Sequence, residues 1–229
     1  MRAEKFADIR LTRMILGVTL VVGVMAGASA FAAPVWRGDE RTTFEQWSFS
    51  SWNYGPLEPD TAPLMWDNDY GTPLLFVDSA SQWSQSVNQH SGVWALGGEM
   101  FLEIPNFPLE QNEKEIWIAL TWKAAGRTYQ PDKPIIGIET DVGIDRMELF
   151  DREDISLDNG WKLTTYKYNI WPNPTMEWIT ISGDIYLDSV VVDTYCKVPE
   201  PCTLAVLGLG AVFAARLKRG GCKRIKGER

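Results

Sequence analysis

The run Glu115-Ile-Trp-Ile-Ala-Leu-Thr-Trp-Lys123 changes character with a period of two. In an extended chain Ile116, Ile118, Leu120 and Trp122 share one face, and Trp117, Ala119, Thr121 and Lys123 share the other. Between Pro34 and Cys196 no long segment carries the 3.6-residue apolar stripe of a packed helix. Similar short runs recur at Thr43 to Phe49, Leu74 to Asp78, Val93 to Leu96, Met100 to Ile104, Ile135 to Thr140 and Arg146 to Phe150. Trp161 to Ile170 places Tyr166, Tyr168 and Ile170 on one face, and Trp178 to Ile181 follows the turn cluster Pro172-Asn-Pro174. Asp184 to Asp193 reads as a closing strand whose central valines are buried on both sides. About ten short strands separated by Gly and Pro, with no crossover helices, predict an all-β antiparallel sandwich or jelly roll.

The chain divides by composition into three parts: a leader over 1–33, a body over 34–197 and a tail over 198–229. The body has an ordinary single-domain size. It holds 26 acidic and 11 basic residues, a net of −15 that repels phosphate backbones and argues against nucleic-acid binding. That acidity suits solubility in an external medium. Cys196, Cys202 and Cys222 all fall at the C-terminal end, so no disulfide framework runs through the body.

The leader reads Met14 to Ala33 as an apolar run behind Arg10 and Arg13, closed by the small residues Ala28-Ser29-Ala30 and Ala32. A basic start, an apolar core and small-x-small positions describe a secretory signal helix cut by signal peptidase between Phe31 and Pro34. An uncleaved anchor is the alternative, since the run approaches the roughly 20 residues of a membrane span.

The tail runs Val198-Pro-Glu-Pro-Cys-Thr-Leu-Ala-Val-Leu-Gly-Leu-Gly, stays apolar to Ala215, and turns basic from Arg216 through Lys218 and Arg219. This succession resembles the PEP-CTERM family of sorting signals, in which a Pro-Glu-Pro motif precedes a short apolar segment and a basic finish. The sorting motif here is Val198, Pro199, Glu200 and Pro201, and Cys202 stands where Ser or Ala is common. The resemblance implies an exosortase-type enzyme as processing partner, and a protein held in the inner membrane before reaching the cell surface or extracellular matrix. Helix geometry agrees with a weak anchor: fourteen residues from Cys202 to Ala215 span about 21 Å against a hydrocarbon core of about 30 Å. A short C-terminal transmembrane helix of this length needs local thinning or snorkelling of Arg216 and Lys218, with the basic end cytoplasmic. Cys202 lies far from the N-terminus, behind Pro-Glu-Pro, which excludes a lipoprotein attachment. A Cys196–Cys202 bridge would cross a loop stiffened by two prolines, and Cys222 stays a thiol on the reducing side.

The body also resembles planctomycete PEP-CTERM proteins of unassigned function. The segments that match are Trp36-Arg-Gly, Thr43 to Phe49, Tyr70-Gly-Thr-Pro73, Glu115 to Trp122, Ile170 to Pro174 and Val191 to Cys196. The resemblance implies a sandwich and an exported setting, and no activity.

Catalytic chemistry finds little support. His90 is the sole histidine, next to no nucleophile elbow, and reads as an exposed loop residue. Zinc ligation by several histidines or cysteines is excluded by count within the body. The alternative, a secreted polysaccharide hydrolase, needs two carboxylates about 5 to 9 Å apart, which sequence cannot place. Asp67-Asn-Asp-Tyr-Gly71 and the stretch from Asp141 through Asp145 to Glu148 resemble oxygen-rich calcium loops, though plain turns explain both. A structural calcium joining the first and last strands would draw on Glu45 and Asp193. No other cofactor is expected.

All eleven tryptophans lie in the body. Trp47, Trp178, and either Trp117 or Trp122 sit where large side chains fill a sandwich. Trp52, Tyr54, Trp66, Tyr70 and Trp83 lie in Pro/Gly/Asn-rich stretches and are the candidate ligand-binding aromatics. Exposed rings offer platforms to sugar faces, so extracellular polysaccharide is the expected ligand. Two readings stand beside it: rings that staple loops to a sheet, and a purely structural matrix protein.

Overall fold

A computed structural model describes residues 33–60, 66–107, 112–127 and 131–197. The chain divides into two compact units, Met1–Ala33 and Pro34–Arg229. The signal helix, the sorting motif Val198 to Pro201 and the short apolar tail lie outside the described residues. Among the described residues no helix is long and apolar enough to cross a membrane.

The body is all-β and antiparallel. Its strands are β1 (Thr42–Ser48), β2 (Trp66–Asp67), β3 (Leu74–Val77), β4 (Gln82–Val87), β5 (His90–Ala95) and β6 (Glu99–Pro105). They continue as β7 (Glu113–Ala124), β8 (Ile135–Thr140), β9 (Arg146–Ser156), β10 (Lys162–Trp171), β11 (Met176–Ser182) and β12 (Ile185–Lys197). The larger sheet runs β2-β1-β12-β7-β10-β9, and the β4–β5 hairpin joins it where β5 pairs with Tyr186 and Leu187 of β12. The smaller sheet runs β3-β6-β11-β8. Ile116, Ile118, Leu120, Val190 and Val192 of the larger sheet enclose one core with Leu75, Met100, Leu102, Ile179 and Ile181 of the smaller. The body is a β-sandwich.

The alternation in β7 predicts its faces correctly: Ile116, Ile118, Leu120 and Trp122 are buried in the core. In β12 the neighbours Val190, Val191 and Val192 are all buried, because the strand lies between β1 and β7 and is covered on both faces. Trp47 joins the core, but Trp178 does not. In β11 the inward positions belong to Glu177, Ile179 and Ile181, which leaves Trp178 half-buried on the outer face. A carboxylate occupies a core slot there because Lys114, inward-facing on β7, meets it at 3.0 Å. The wholly buried indoles besides Trp47 are Trp94 and Trp161.

His90 is not a free loop residue. Asn88 and Gln89, both with positive φ (49° and 77°), form a two-residue hairpin turn that makes His90 the first residue of β5. Its ring stacks on Trp161 at 4.0 Å between centroids, and Nδ1 lies 2.9 Å from Asp188. β4 itself, Gln-Trp-Ser-Gln-Ser-Val, carries no apolar alternation, so the sequence hides it. β9 extends to Ser156 and is exposed along its whole length as the outermost strand of the larger sheet. Its charges at Arg146, Glu148, Asp151, Arg152, Glu153 and Asp154 discourage edge-to-edge pairing.

Candidate functional site

Three of the five nominated aromatics converge. The register of the β4–β5 hairpin sets Trp83 directly opposite Trp94, so the two indoles point to the same face of the ribbon. The loop after β1 crosses this ribbon. Trp83 Nε1 donates to the carbonyl of Phe49 at 3.1 Å. The crossing is possible because Gly92 stands beneath it: at its φ of +70°, a Cβ would lie 1.8 Å from the Phe49 oxygen.

Beyond Phe49 the loop is tied at several points. The Val77 amide donates to Tyr54 O at 2.7 Å, and Leu57 and Leu75 exchange backbone hydrogen bonds of 2.9 and 3.0 Å. Asp60 closes the loop on β1: its amide donates to Gln46 O at 2.9 Å and its carboxylate accepts from the Ser48 amide at 2.6 Å. Gly55 allows the close approach to β3, since a Cβ there would meet Leu75 O at 2.7 Å. The loop therefore holds its aromatics in place before any ligand arrives, which lowers the ordering cost of binding.

The result is an open cleft of about 330 Å³ lined by Trp52, Tyr54, Gln82, Trp83 and Trp94. Trp94 is its buried base, with Tyr54 tilted against it at 5.4 Å between centroids. The Trp94 indole N–H is buried and takes no acceptor among the described residues. Trp52 is 69% exposed and Tyr54 41%, unusual for rings on a loop so well anchored. Among the described residues the lining combines rings with one amide and one phenol and holds no carboxylate, so a hydrolytic acid pair is not available from these five side chains.

The other two nominated aromatics lie elsewhere. Trp66 is half-buried on β2, opposite Glu45. Tyr70 packs edge-on to Phe107 at 5.4 Å, and its amide donates to Asn68 Oδ1 at 3.0 Å. Neither lines the cleft. Gln82 and Trp94 are the lining residues that sequence reading did not nominate. A separate depression of about 420 Å³ lies at Asp145, Arg146 and Trp171, where Arg146 is engaged with Glu113 at 2.9 Å.

The proposed calcium ligands do not meet. Glu45 and Asp193 belong to the paired strands β1 and β12 but stand opposite Val192 and Phe44 respectively, on contrary faces of the sheet. Asp193 faces outward into a two-pronged pair with Arg37, at 2.5 and 2.6 Å, and burial raises its pKa to about 6 against the pull of that guanidinium. Glu45 faces inward, where its Oε1 accepts from Asn68 Nδ2 at 2.7 Å. The two acidic stretches are turns: Asn68 serves Tyr70 and Glu45, and the Asp141 carboxylate accepts from the amides of Thr175 and Met176 at 3.2 Å each. Among the described residues no group of three or more His, Cys, Asp or Glu is arranged to hold an ion. Cys196 is a buried free thiol approached by Asn112 Nδ2 at 3.7 Å, while Cys202 and Cys222 lie outside the described residues.

No family model matches the chain, and no curated protein or solved structure is similar to it.

Proposed function

We propose that this is an exported, non-catalytic sandwich that binds polysaccharide through the cleft of Trp52, Tyr54 and Trp83 over Trp94. The convergence of these rings on a pre-tied loop carries the reading. Indole and phenol faces desolvate readily against the C–H faces of a sugar ring, while the Gln82 amide, the Tyr54 hydroxyl and the Trp52 indole N–H offer polar partners for hydroxyls. The strand order supports a jelly-roll arrangement, since β1-β12-β7-β10 in one sheet interleaves with β6-β11-β8 in the other. That the described lining residues include no carboxylate weighs against the hydrolase alternative. A glycan array probed with the purified body identifies the ligand class: the expected result is retention on a set of related glycans by wild type and loss by Trp52→Ala. No retention on any glycan leaves the purely structural matrix role.

The setting rests on the ends of the chain. In this reading signal peptidase removes the leader, the tail holds the protein in the inner membrane, and an exosortase-type enzyme releases it at the Pro-Glu-Pro motif. Proline lacks an amide hydrogen and disfavours helix in the residue before it, so the sequence of the motif favours an extended backbone, the form a protease binds as an added strand. Glu200 keeps that boundary in the interface, because a carboxylate in hydrocarbon is expensive. Pro199→Ala combined with Glu200→Ala should leave the body folded and trap unprocessed protein in the membrane fraction. A blot showing equal shortened product in both strains would contradict this sorting route.

A further inference from the structure

The interior of the sandwich holds a lysine that no surface function uses. Lys114, on β7 of the larger sheet, is 2% exposed, and Glu177, on β11 of the smaller sheet, is fully buried. Lys114 Nζ stands 3.0 Å from Glu177 Oε1 across the core. A buried ion pair of this kind pays several kcal/mol of desolvation per ion, which neutral partners avoid. Burial lowers the Lys114 pKa and raises that of Glu177, so both groups are driven toward the free amine and the carboxylic acid. A second carboxyl in the same interior, Glu45, is raised by burial to about 8 and is itself protonated at neutral pH. A desolvated lysine is a nucleophile, and one held in contact with a carboxyl by two rigid sheets is presented at very high effective concentration.

We propose that Lys114 and Glu177 condense to an isopeptide bond that joins the two sheets through the core. The Nζ lone pair attacks Cδ of Glu177, and a C–N bond forms as a C–O bond breaks. The departing oxygen leaves as water, taking the carboxyl proton and one proton from the amine, and the amide nitrogen keeps the other. No electrons are transferred and no co-reactant is consumed. The amide replaces two groups that are costly to bury as ions, and their burial keeps bulk solvent from reversing the step. The cross-link also fits the chain's composition, since the body is read as exported yet has no cysteine before Cys196 from which to build a disulfide. It would restrict the unfolded chain between positions 114 and 177 as a disulfide does.

The test is mass spectrometry of the full chain, purified from its own export route and denatured before digestion with trypsin. The expected result is no cleavage after Lys114 and a branched peptide that joins the Lys114 and Glu177 segments, lighter by one water than their sum. Glu177→Ala and Lys114→Met should each restore separate linear peptides. Wild-type protein that yields full-mass linear peptides for both segments overturns the proposal, and this reading does not depend on either variant folding.

Discussion

Replacing Glu45 with glutamine should stabilise the body by ~3 kcal/mol at pH 7 and flatten its stability between pH 5 and 8. The side chain is wholly buried, and desolvation raises its pKa from 4.5 to about 8 against the opposing bonds from Asn68 and Thr43. Between those values the folded protein holds a proton that the unfolded chain has released. Stability therefore falls as pH rises, by up to about 1.4 kcal/mol per pH unit from this group alone. The contribution is complete below the unfolded pKa and lost as pH passes through about 8. Glutamine keeps the oxygen that accepts from Asn68 at 2.7 Å and never ionises. Urea unfolding at pH 5, 7 and 9 should show wild type and variant converging on the acid side and separating to a plateau above about pH 8. Asp193 is also raised by burial and tilts the wild-type curve in the same direction, so the difference between the two proteins is the quantity to read. Parallel curves would mean that Glu45 does not take up its proton on folding.

Gly92→Ala should cost about 3 kcal/mol or more and abolish the cleft together with the stability. Two penalties coincide at this position. The backbone sits at φ +70°, which a Cβ strains, and the added carbon would lie 1.8 Å from the Phe49 oxygen and 2.6 Å from its carbonyl carbon. Backbone atoms cannot rotate away, so either β5 or the loop must move. Moving the loop breaks the bond from Trp83 Nε1 to Phe49 and displaces Trp52 and Tyr54 from Trp94. Gly126 supplies the control, since its φ is +63° but nothing lies within 4 Å of the site of its Cβ. Gly126→Ala should cost only about 1 kcal/mol. Denaturant midpoints for the two variants check the contrast, and similar losses at both positions would remove the steric argument.

Most of the sandwich was legible because burial on one face writes a period of two into the chain. β7 and β12 carry that period in isoleucine, tryptophan and valine, and their predicted faces hold. β4 was not legible, since its polar residues serve a hairpin that borrows its apolar contact from Trp83 alone. By pattern alone Trp178 reads as core, because a tryptophan usually outranks a glutamate there, and only a partner on a distant strand, Lys114, reverses the order. Residue pattern cannot report a pairing between two sheets. The same limit governs the cleft. Trp52, Tyr54 and Trp83 stood out by their Pro/Gly/Asn-rich surroundings, but Trp66 and Tyr70 share that local chemistry and lie apart. What separates them is the register that sets Trp83 beside Trp94 and the turn at Asn88 and Gln89, a pair without the usual hairpin glycine. Glu45 and Asp193 lie on the neighbouring first and last strands, yet they face opposite ways, because Glu45 pairs with Val192 and Asp193 with Phe44, one step apart on strands whose side chains alternate.

The most direct measurement is a calorimetric titration of the folded body with the polysaccharide that the array identifies, repeated with Trp52→Ala. Trp52 is 69% exposed, so its removal should leave the unfolding midpoint unchanged while it strips the cleft of its outermost ring. The account predicts that affinity falls at least about tenfold, or ~1.4 kcal/mol, with stability intact. Equal affinity in the two proteins would contradict it, and would place the ligand away from the aromatic cleft.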